Sequence, residues 1–142
     1  MTRVDFYILE QESQDTARFA CRLVDKAFRL GHHVYVLTEN AEAAHRMDDL
    51  LWTYQAGSFV PHALLGSDIP PGAHPPVLVG WEQPPEHTHD VLMPLTAEIA
   101  PFFARFDRLL EIVGSTTDEK ERSRARFRFY RDRGYPLEVH RL

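Results

Sequence analysis

Hydrophobic and polar positions follow two different periods in the first part of the chain. Val4 to Leu9 and His33 to Thr38 are runs rich in β-branched and aromatic residues, which favour strands buried in a sheet. Between them, apolar residues recur at helical spacing from Thr16 to Leu30, and Gly31 stands where a helix commonly ends. This part of the chain is therefore predicted to fold as strand, helix and strand.

The pattern continues with further helices and strands. Asn40 is predicted to cap a second helix that runs to about Trp52 or Thr53, and Gly57 to His62 is predicted to be a loop. The later predicted elements are a strand at Val77–Trp81, a strand at Val91–Leu95, a short helical segment from Pro101 through Phe106, a strand at Leu109–Val113, a helix at Thr117–Arg133 ended by Gly134, and an edge strand within Tyr135–Leu142. Strands that alternate with helices favour an α/β fold with a mainly parallel central sheet, because parallel neighbours need a long connection and a helix supplies it.

Length and composition fit one soluble domain. The chain has 142 residues and is predicted to form a single domain over 1–142, since one core of this size buries roughly 70% of the unfolded surface. The hydrophobic fraction of 44% and the charged fraction of 26% are ordinary for a globular protein. No apolar run approaches the ~20 residues of a membrane span, and the N-terminus has no signal-peptide pattern. We therefore expect a cytoplasmic protein that does not enter a membrane.

The turn after the first strand argues against a nucleotide site. An α/β nucleotide binder needs a glycine-rich turn at this point, so that backbone amides can approach a phosphate group. Residues 10–15 contain no glycine and carry three acids, namely Glu10, Glu12 and Asp15. The chain is therefore predicted to have no nucleotide-binding glycine loop and to need no cofactor.

One short segment offers the side chains of a metal site. His87, His89 and Asp90 are ligand types that zinc accepts, and they would support a metal-dependent or nucleotide-handling hydrolase as an alternative function. The sequence supplies no cysteine or Glu-x-x-His partner for them, and the segment follows Pro84 and Pro85 as an exposed loop. Neither a metal site nor a catalytic residue is therefore predicted.

Two large aromatic residues flank the loop after the second predicted helix. The helix ends with Asp48-Asp49-Leu50-Leu51-Trp52, and the loop is Gly57-Ser58-Phe59-Val60-Pro61-His62. Trp52 and Phe59 are either core residues or exposed anchors of the kind that concentrates binding energy at the centre of a protein interface. The sequence leaves both interpretations open.

Positive charge is concentrated near the C-terminus. The net charge is −5, but residues 118–133 carry seven Lys or Arg against four Asp or Glu, which leaves −8 for the remainder. At 3.6 residues per turn, one stripe of the last helix carries Lys120, Arg124, Arg128 and Arg131, and Phe127 lies beside that stripe. The predicted molecule is an acidic body with a basic helix, a balance that argues against extensive wrapping of nucleic acid.

This basic stripe is compatible with three roles. It is a solvated face partly balanced by Asp118, Glu119 and Glu121, or it is a site for a partner. An acidic peptide with an apolar end fits well, because guanidinium groups bind carboxylates through paired hydrogen bonds. Single-stranded nucleic acid could use the same charges directly, with bases stacked on the aromatic ring.

The order and spacing of these segments resemble one known family. Asp49-Leu50-Leu51-Trp52 followed by Ser58-Phe59-Val60-Pro61-His62 is similar to the pattern of the chi subunit of bacterial DNA polymerase III. The resemblance covers essentially the whole chain and includes Phe6-Tyr7-Ile8-Leu9, Arg46-Met47-Asp48, Pro76-Val77-Leu78-Val79 with Trp81, Asp90-Val91-Leu92, Arg126-Phe127-Arg128-Phe129-Tyr130-Arg131 and Gly134-Tyr135.

This resemblance implies a fold, two partners and two surfaces. The fold is a three-layer, Rossmann-like α/β domain without nucleotide binding. The role is that of a non-catalytic adaptor, which joins the psi subunit of the clamp loader to single-stranded DNA-binding protein and reaches DNA only indirectly. The family's pocket for the acidic, Phe-terminated tail of the latter protein maps onto Val113, Lys120, Arg124, Phe127 and Arg128, with Arg131 on the same stripe, and the psi-facing surface maps onto Trp52 and Phe59.

Two positions depart from the family pattern. Phe127 stands where well-known members have tyrosine, and Arg128 stands where lysine is common. A hydroxyl is lost and the positive charge is kept, so the tail is still expected to bind. The expected affinity is on the order of micromolar, because a short peptide must be ordered on binding.

Overall fold

The computed structural model describes residues 1–67, 69–70 and 72–142. These residues form one sheet and three α-helices. The strands are β1 (Arg3–Ile8), β2 (Val34–Leu37), β3 (His62–Leu64), β4 (Val77–Gly80), β5 (Val91–Pro94), β6 (Arg108–Val113) and β7 (Leu137–Arg141). The helices are α1 (Thr16–Arg29), α2 (Ala41–Thr53) and α3 (Thr117–Asp132), and a single 3-10 turn spans Phe103–Arg105.

The sheet is parallel throughout. Its strands follow the order β3-β4-β2-β5-β6-β1-β7, and each neighbouring pair runs in the same direction. The predicted parallel sheet is confirmed, and β7 lies at an edge as predicted. All strands therefore begin at one end of the sheet and end at the other, so loops that are far apart in sequence meet at each end.

The helices cover both faces of the sheet. Alternate residues of a strand point to opposite faces. Val34 and Val36 of β2 pack with α1 and α2 in one hydrophobic core. Tyr35 and Leu37 of the same strand pack in a second core that includes Tyr130 of α3. The described residues therefore form three layers, as the family resemblance implies, with α1 and α2 on one face of the sheet and α3 on the other.

The helices begin and end where local chemistry favours it. The Asn40 side chain accepts a hydrogen bond of 2.9 Å from the backbone N–H of Ala43, which confirms the predicted cap of α2. Gly31 and Gly134 follow α1 and α3 with φ angles of 90° and 81°, a region in which glycine carries no steric penalty. No helix in the described part of the chain is long and apolar enough to cross a membrane.

Some predicted boundaries are wrong. His62 was predicted to lie in a loop, but it begins β3, which has three half-buried residues at the sheet edge. Such a short edge strand shows neither an alternating nor a continuously apolar pattern. Trp81 lies outside β4, which ends at Gly80, and the helical segment predicted from Pro101 is only the 3-10 turn.

Candidate interaction surfaces

A buried ion pair anchors α3 to the sheet. Arg126 lies on the inner side of the helix, and its Nη2 is 3.1 Å from Oε1 of Glu111 in β6. The same guanidinium group donates to the carbonyl oxygens of Thr96 and Ala97, at 2.6 and 3.0 Å. The Tyr130 hydroxyl donates to Glu111 at 2.8 Å. Because Arg126 and Tyr130 lie one turn apart, these contacts fix the position and rotation of the helix on the sheet.

Burial is the largest influence on the pKa values of Glu111 and Tyr130 in this network. Burial raises the pKa of Glu111 above its usual range, while the charge of Arg126 and the hydrogen bonds from Tyr130 and Arg126 lower it. The pKa of Tyr130 is raised by burial and by the negative charge of Glu111. One signal of this network is visible in the sequence, since a glutamate inside the apolar run of β6 needs a buried partner.

The basic stripe of α3 points away from the sheet. Lys120, Arg124, Arg128 and Arg131 are all exposed. Arg131 pairs with the neighbouring Asp132 at 3.1 Å. Within the part of the chain that the structure describes, Lys120, Arg124 and Arg128 form no ion pair. The prediction that these residues share one face is confirmed, and that face carries uncompensated positive charge.

Phe127 lies between the basic stripe and the core. It is half-buried, and its ring centroid is 5.4 Å from that of Phe6 in β1. Part of the ring is therefore fixed by the sheet, while the rest is accessible at the border of the basic stripe, where Arg124 and Arg131 lie one helical turn away. This aromatic edge next to cations has the composition expected of a site for an anion with an apolar end.

Val113 occupies a different position from the stripe. It is buried at the end of β6 and lines a cleft of about 410 Å³, formed where β5 and β6 end. Arg122 and Ser123 of α3 line the same cleft. None of Lys120, Arg124, Phe127 and Arg128 lines it. The structure therefore brings five of the six predicted tail-binding residues together on α3 and places Val113 in the adjacent cleft.

Trp52 and Phe59 form an exposed aromatic pair. Trp52 is 52% exposed and Phe59 is 61% exposed, so the alternative that both are core residues is wrong. Their ring centroids are 5.6 Å apart. The ring centroid of His62 lies 4.5 Å from that of Trp52. Two contacts fix the His62 ring: its Nε2 is 3.2 Å from Oδ1 of Asp48, and its Nδ1 is 2.6 Å from the carbonyl oxygen of Val60.

The two surfaces are well separated. Trp52 packs on His62 in β3, whereas Phe127 packs on Phe6 in β1. Five strand spacings separate β3 from β1, which corresponds to roughly 24 Å at ~4.8 Å each. The helices α2 and α3 also lie on opposite faces of the sheet. The two surfaces therefore share no residue.

Among the described residues, the structure does not bring together the ligand atoms of His87, His89 and Asp90, the trio of the alternative hydrolase hypothesis. The carboxylate of Asp90 accepts a hydrogen bond of 2.9 Å from the backbone N–H of His33 and lies 3.1 Å from Nδ1 of His32. His87 instead lies beside His74, which sequence reasoning did not include, with 3.0 Å between Nε2 of His87 and Nδ1 of His74. The pairing depends on two loops that are distant in sequence.

Comparisons with known proteins agree on one family. A family model described as "DNA polymerase III chi subunit, HolC" matches residues 1–138. A DNA polymerase III subunit chi of Pseudomonas aeruginosa is 39% identical over 144 positions, covering 100% of this chain and 98% of that protein. The DNA polymerase III subunit chi of Escherichia coli is 29% identical, covering 96% of each chain. In the crystal structure of T4 UvsW, a chain with 5% identity matches the fold with a TM-score of 0.71, covering 99% of this chain and 41% of that chain.

Proposed function

The chain belongs to the DNA polymerase III chi subunit family, and we propose that it acts as a non-catalytic adaptor in DNA replication. In this proposal α3 binds the acidic C-terminal tail of single-stranded DNA-binding protein, and the surface around Trp52 binds the psi subunit of the clamp loader. DNA is reached only through the first partner. The proposed location is the cytoplasm, where a bacterial replication complex works.

One observation carries the proposal for α3. Lys120, Arg124 and Arg128 are exposed on one stripe without ion-pair partners in the described residues, and the half-buried ring of Phe127 borders them. Three adjacent cations repel one another, so an anionic ligand gains free energy from each of them. A carboxylate-rich segment that ends in an aromatic residue matches both the charges and the apolar edge.

The psi-binding assignment is supported by exposure and rigidity. An exposed tryptophan and phenylalanine in contact are unusual on a free surface and are typical of the centre of a protein interface. His62 and its partner Asp48 support the indole ring from below, so the surface needs little ordering when a partner binds.

Two observations favour an adaptor over a hydrolase. The relatives are named as a subunit of DNA polymerase III, which supports an accessory role. The carboxylate of Asp90, which the hydrolase hypothesis needs, is already bonded to His32 and to the backbone of His33.

An adaptor must bind both partners at once, and the separation of the two surfaces allows this. The test is to mix the chain with the psi subunit of the same organism and with a fluorescent acidic peptide that ends in phenylalanine, and to measure the mass of the complex by analytical ultracentrifugation. A ternary complex is expected, with peptide affinity unchanged by psi. If psi displaces the peptide, the two surfaces overlap and the adaptor proposal fails. If the chain binds a single-stranded oligonucleotide and does not bind the peptide, α3 is a nucleic-acid site and the adaptor proposal also fails.

A further inference from the structure

Five of the eight histidines in the chain line one cavity. The cavity has a volume of about 610 Å³ and lies at the end of the sheet where β2, β4 and β5 begin. The histidines are His32, His33, His74, His87 and His89. None of them belongs to the tail-binding stripe or to the aromatic pair.

The sheet topology brings these residues together. His33 immediately precedes β2, His74 lies in the loop before β4, and His87 and His89 lie in the loop before β5. The three strands are neighbours in the order β4-β2-β5 and are parallel, so the loops before them meet at one end of the sheet. Three separate segments thus contribute imidazole groups to the lining of one cavity.

Two of the imidazoles lie within a few tenths of an ångström of the spacing that a metal ion requires. Nδ1 of His74 and Nε2 of His87 are 3.0 Å apart. Two nitrogen ligands at roughly 2.05 Å from a tetrahedral zinc ion lie roughly 3.3 Å from each other. A small rotation of either ring therefore opens the position of a bound ion between the two nitrogen atoms.

The loop that carries His87 is fixed by hydrogen bonds. The backbone N–H of Thr88 donates to the carbonyl oxygen of Pro85 at 3.0 Å. The guanidinium group of Arg105 donates to the same carbonyl and to that of Thr88, the latter at 3.3 Å. The backbone of the turn that carries His87 is thus held in place by hydrogen bonds. The conformational entropy lost when this turn is ordered around a ligand is therefore small.

Another group of ligating side chains is a weaker candidate. Asp5, Glu138 and His140 have ligand atoms within 4.8 Å of one another. However, the buried carboxylate of Asp5 already pairs with Arg108, at 2.6 Å from Nε. That guanidinium group supplies the positive charge that a metal would bring, so the group is better explained as an ion-pair network that ties β7 to β1.

We propose that the histidine cavity binds a divalent transition-metal ion of the zinc type, held by the paired imidazoles of His74 and His87. Imidazole nitrogen selects such ions over Mg²⁺, which prefers oxygen ligands. The bound ion links the loop before β4 to the loop before β5. This goes beyond the adaptor role, because it assigns a ligand to an end of the sheet that neither proposed partner uses.

The test is calorimetric titration of the metal-free full chain with Zn²⁺, with Mg²⁺ as the control ion. We expect one Zn²⁺ per chain, no binding of Mg²⁺, and a higher melting temperature in the presence of Zn²⁺. His74→Ala and His87→Ala are each expected to weaken Zn²⁺ binding by at least about tenfold. The matched control is His45→Ala, an exposed histidine on α2 outside the cavity, which should bind Zn²⁺ like the parent chain.

His74 and His87 are exposed, so neither substitution removes a core contact. A loss of Zn²⁺ binding in these variants is therefore not explained by unfolding. The melting temperature without metal is expected to stay unchanged in each variant. The absence of saturable Zn²⁺ binding, or binding that survives His87→Ala, would overturn the proposal. Equal loss in His45→Ala would do the same, since it would assign the ion to another part of the surface.

Discussion

Arg126 of α3 and Glu111 of β6 form an ion pair of 3.1 Å although both residues are more than nine-tenths buried. A buried charge is tolerated only when it is paired and fully hydrogen-bonded, and here Tyr130 and two backbone carbonyl groups complete the network. The pair holds the helix so that its core side faces the sheet. As a result, the basic stripe on the other side is presented to solvent.

The first prediction concerns the stability that this pair provides. Arg126→Met keeps the length of the side chain and removes its charge, which leaves Glu111 buried without a counter-ion. The free energy of unfolding is expected to fall by about 3–5 kcal/mol near neutral pH, measured by urea denaturation. Arg122→Met, one turn earlier on the same helix, is the control and should change it by about 0.5 kcal/mol or less.

The second prediction gives the pH dependence of that loss. Burial raises the pKa of Glu111, and removing Arg126 removes a group that lowers it, so the folded-state pKa rises further. A carboxyl group with a raised folded-state pKa contributes stability below its unfolded value, and this contribution is lost as the pH rises through the folded-state pKa. The deficit of Arg126→Met should therefore be smaller at about pH 5 than at about pH 8. An equal deficit at both pH values would show that Glu111 is not the source of the loss.

The third prediction separates binding from stability at the aromatic pair. Trp52→Ala removes a half-exposed ring and should change the free energy of unfolding by about 1 kcal/mol or less. Binding to the psi subunit should weaken by about 2 kcal/mol or more, which is roughly thirtyfold. Leu30→Ala, an exposed apolar residue at the end of α1, is the control and should bind normally. If both variants bind psi like the parent chain, the psi surface lies elsewhere.

The fourth prediction tests the charge of the tail-binding stripe. Arg128→Glu places a repelling carboxylate in the basic stripe and should weaken binding of an acidic, Phe-terminated peptide by at least about tenfold, since hydrogen bonds to charged groups contribute about 1.5–3 kcal/mol. Arg22→Glu reverses an exposed arginine on α1, on the opposite face of the sheet, and leaves the same net charge. Fluorescence anisotropy of the labelled peptide compares the two variants. Equal weakening would mean that overall charge, and not this stripe, attracts the peptide.

Most of the fold could be predicted because it depends on local patterns. Asn40 and Gly31 mark helix ends in the sequence, and the helical spacing of Lys120, Arg124 and Arg128 fixes their common face. Long-range contacts could not be predicted in the same way. The strand β3 is too short to show a pattern, and its place is set by pairing with β4.

In the candidate sites, too, local features could be predicted from the sequence and long-range contacts could not. Periodicity placed Trp52 on a helix, but its exposure depends on which loops cover that end of the helix. The sequence showed that Glu111 lies in an apolar strand, yet its partner Arg126 is 15 residues away and is identified only by the packing of α3 on the sheet. His74 and His87 meet because β4 and β5 both flank β2, which is a property of the strand order.

The most direct test of the adaptor account is isothermal titration of the chain with a synthetic peptide of the acidic, Phe-terminated tail, beside a control peptide that lacks the final phenylalanine. The account predicts saturable binding of one peptide per chain with a dissociation constant on the order of micromolar, weakened by salt and abolished in the control peptide. The absence of binding at low salt, or equal binding of the two peptides, would contradict it.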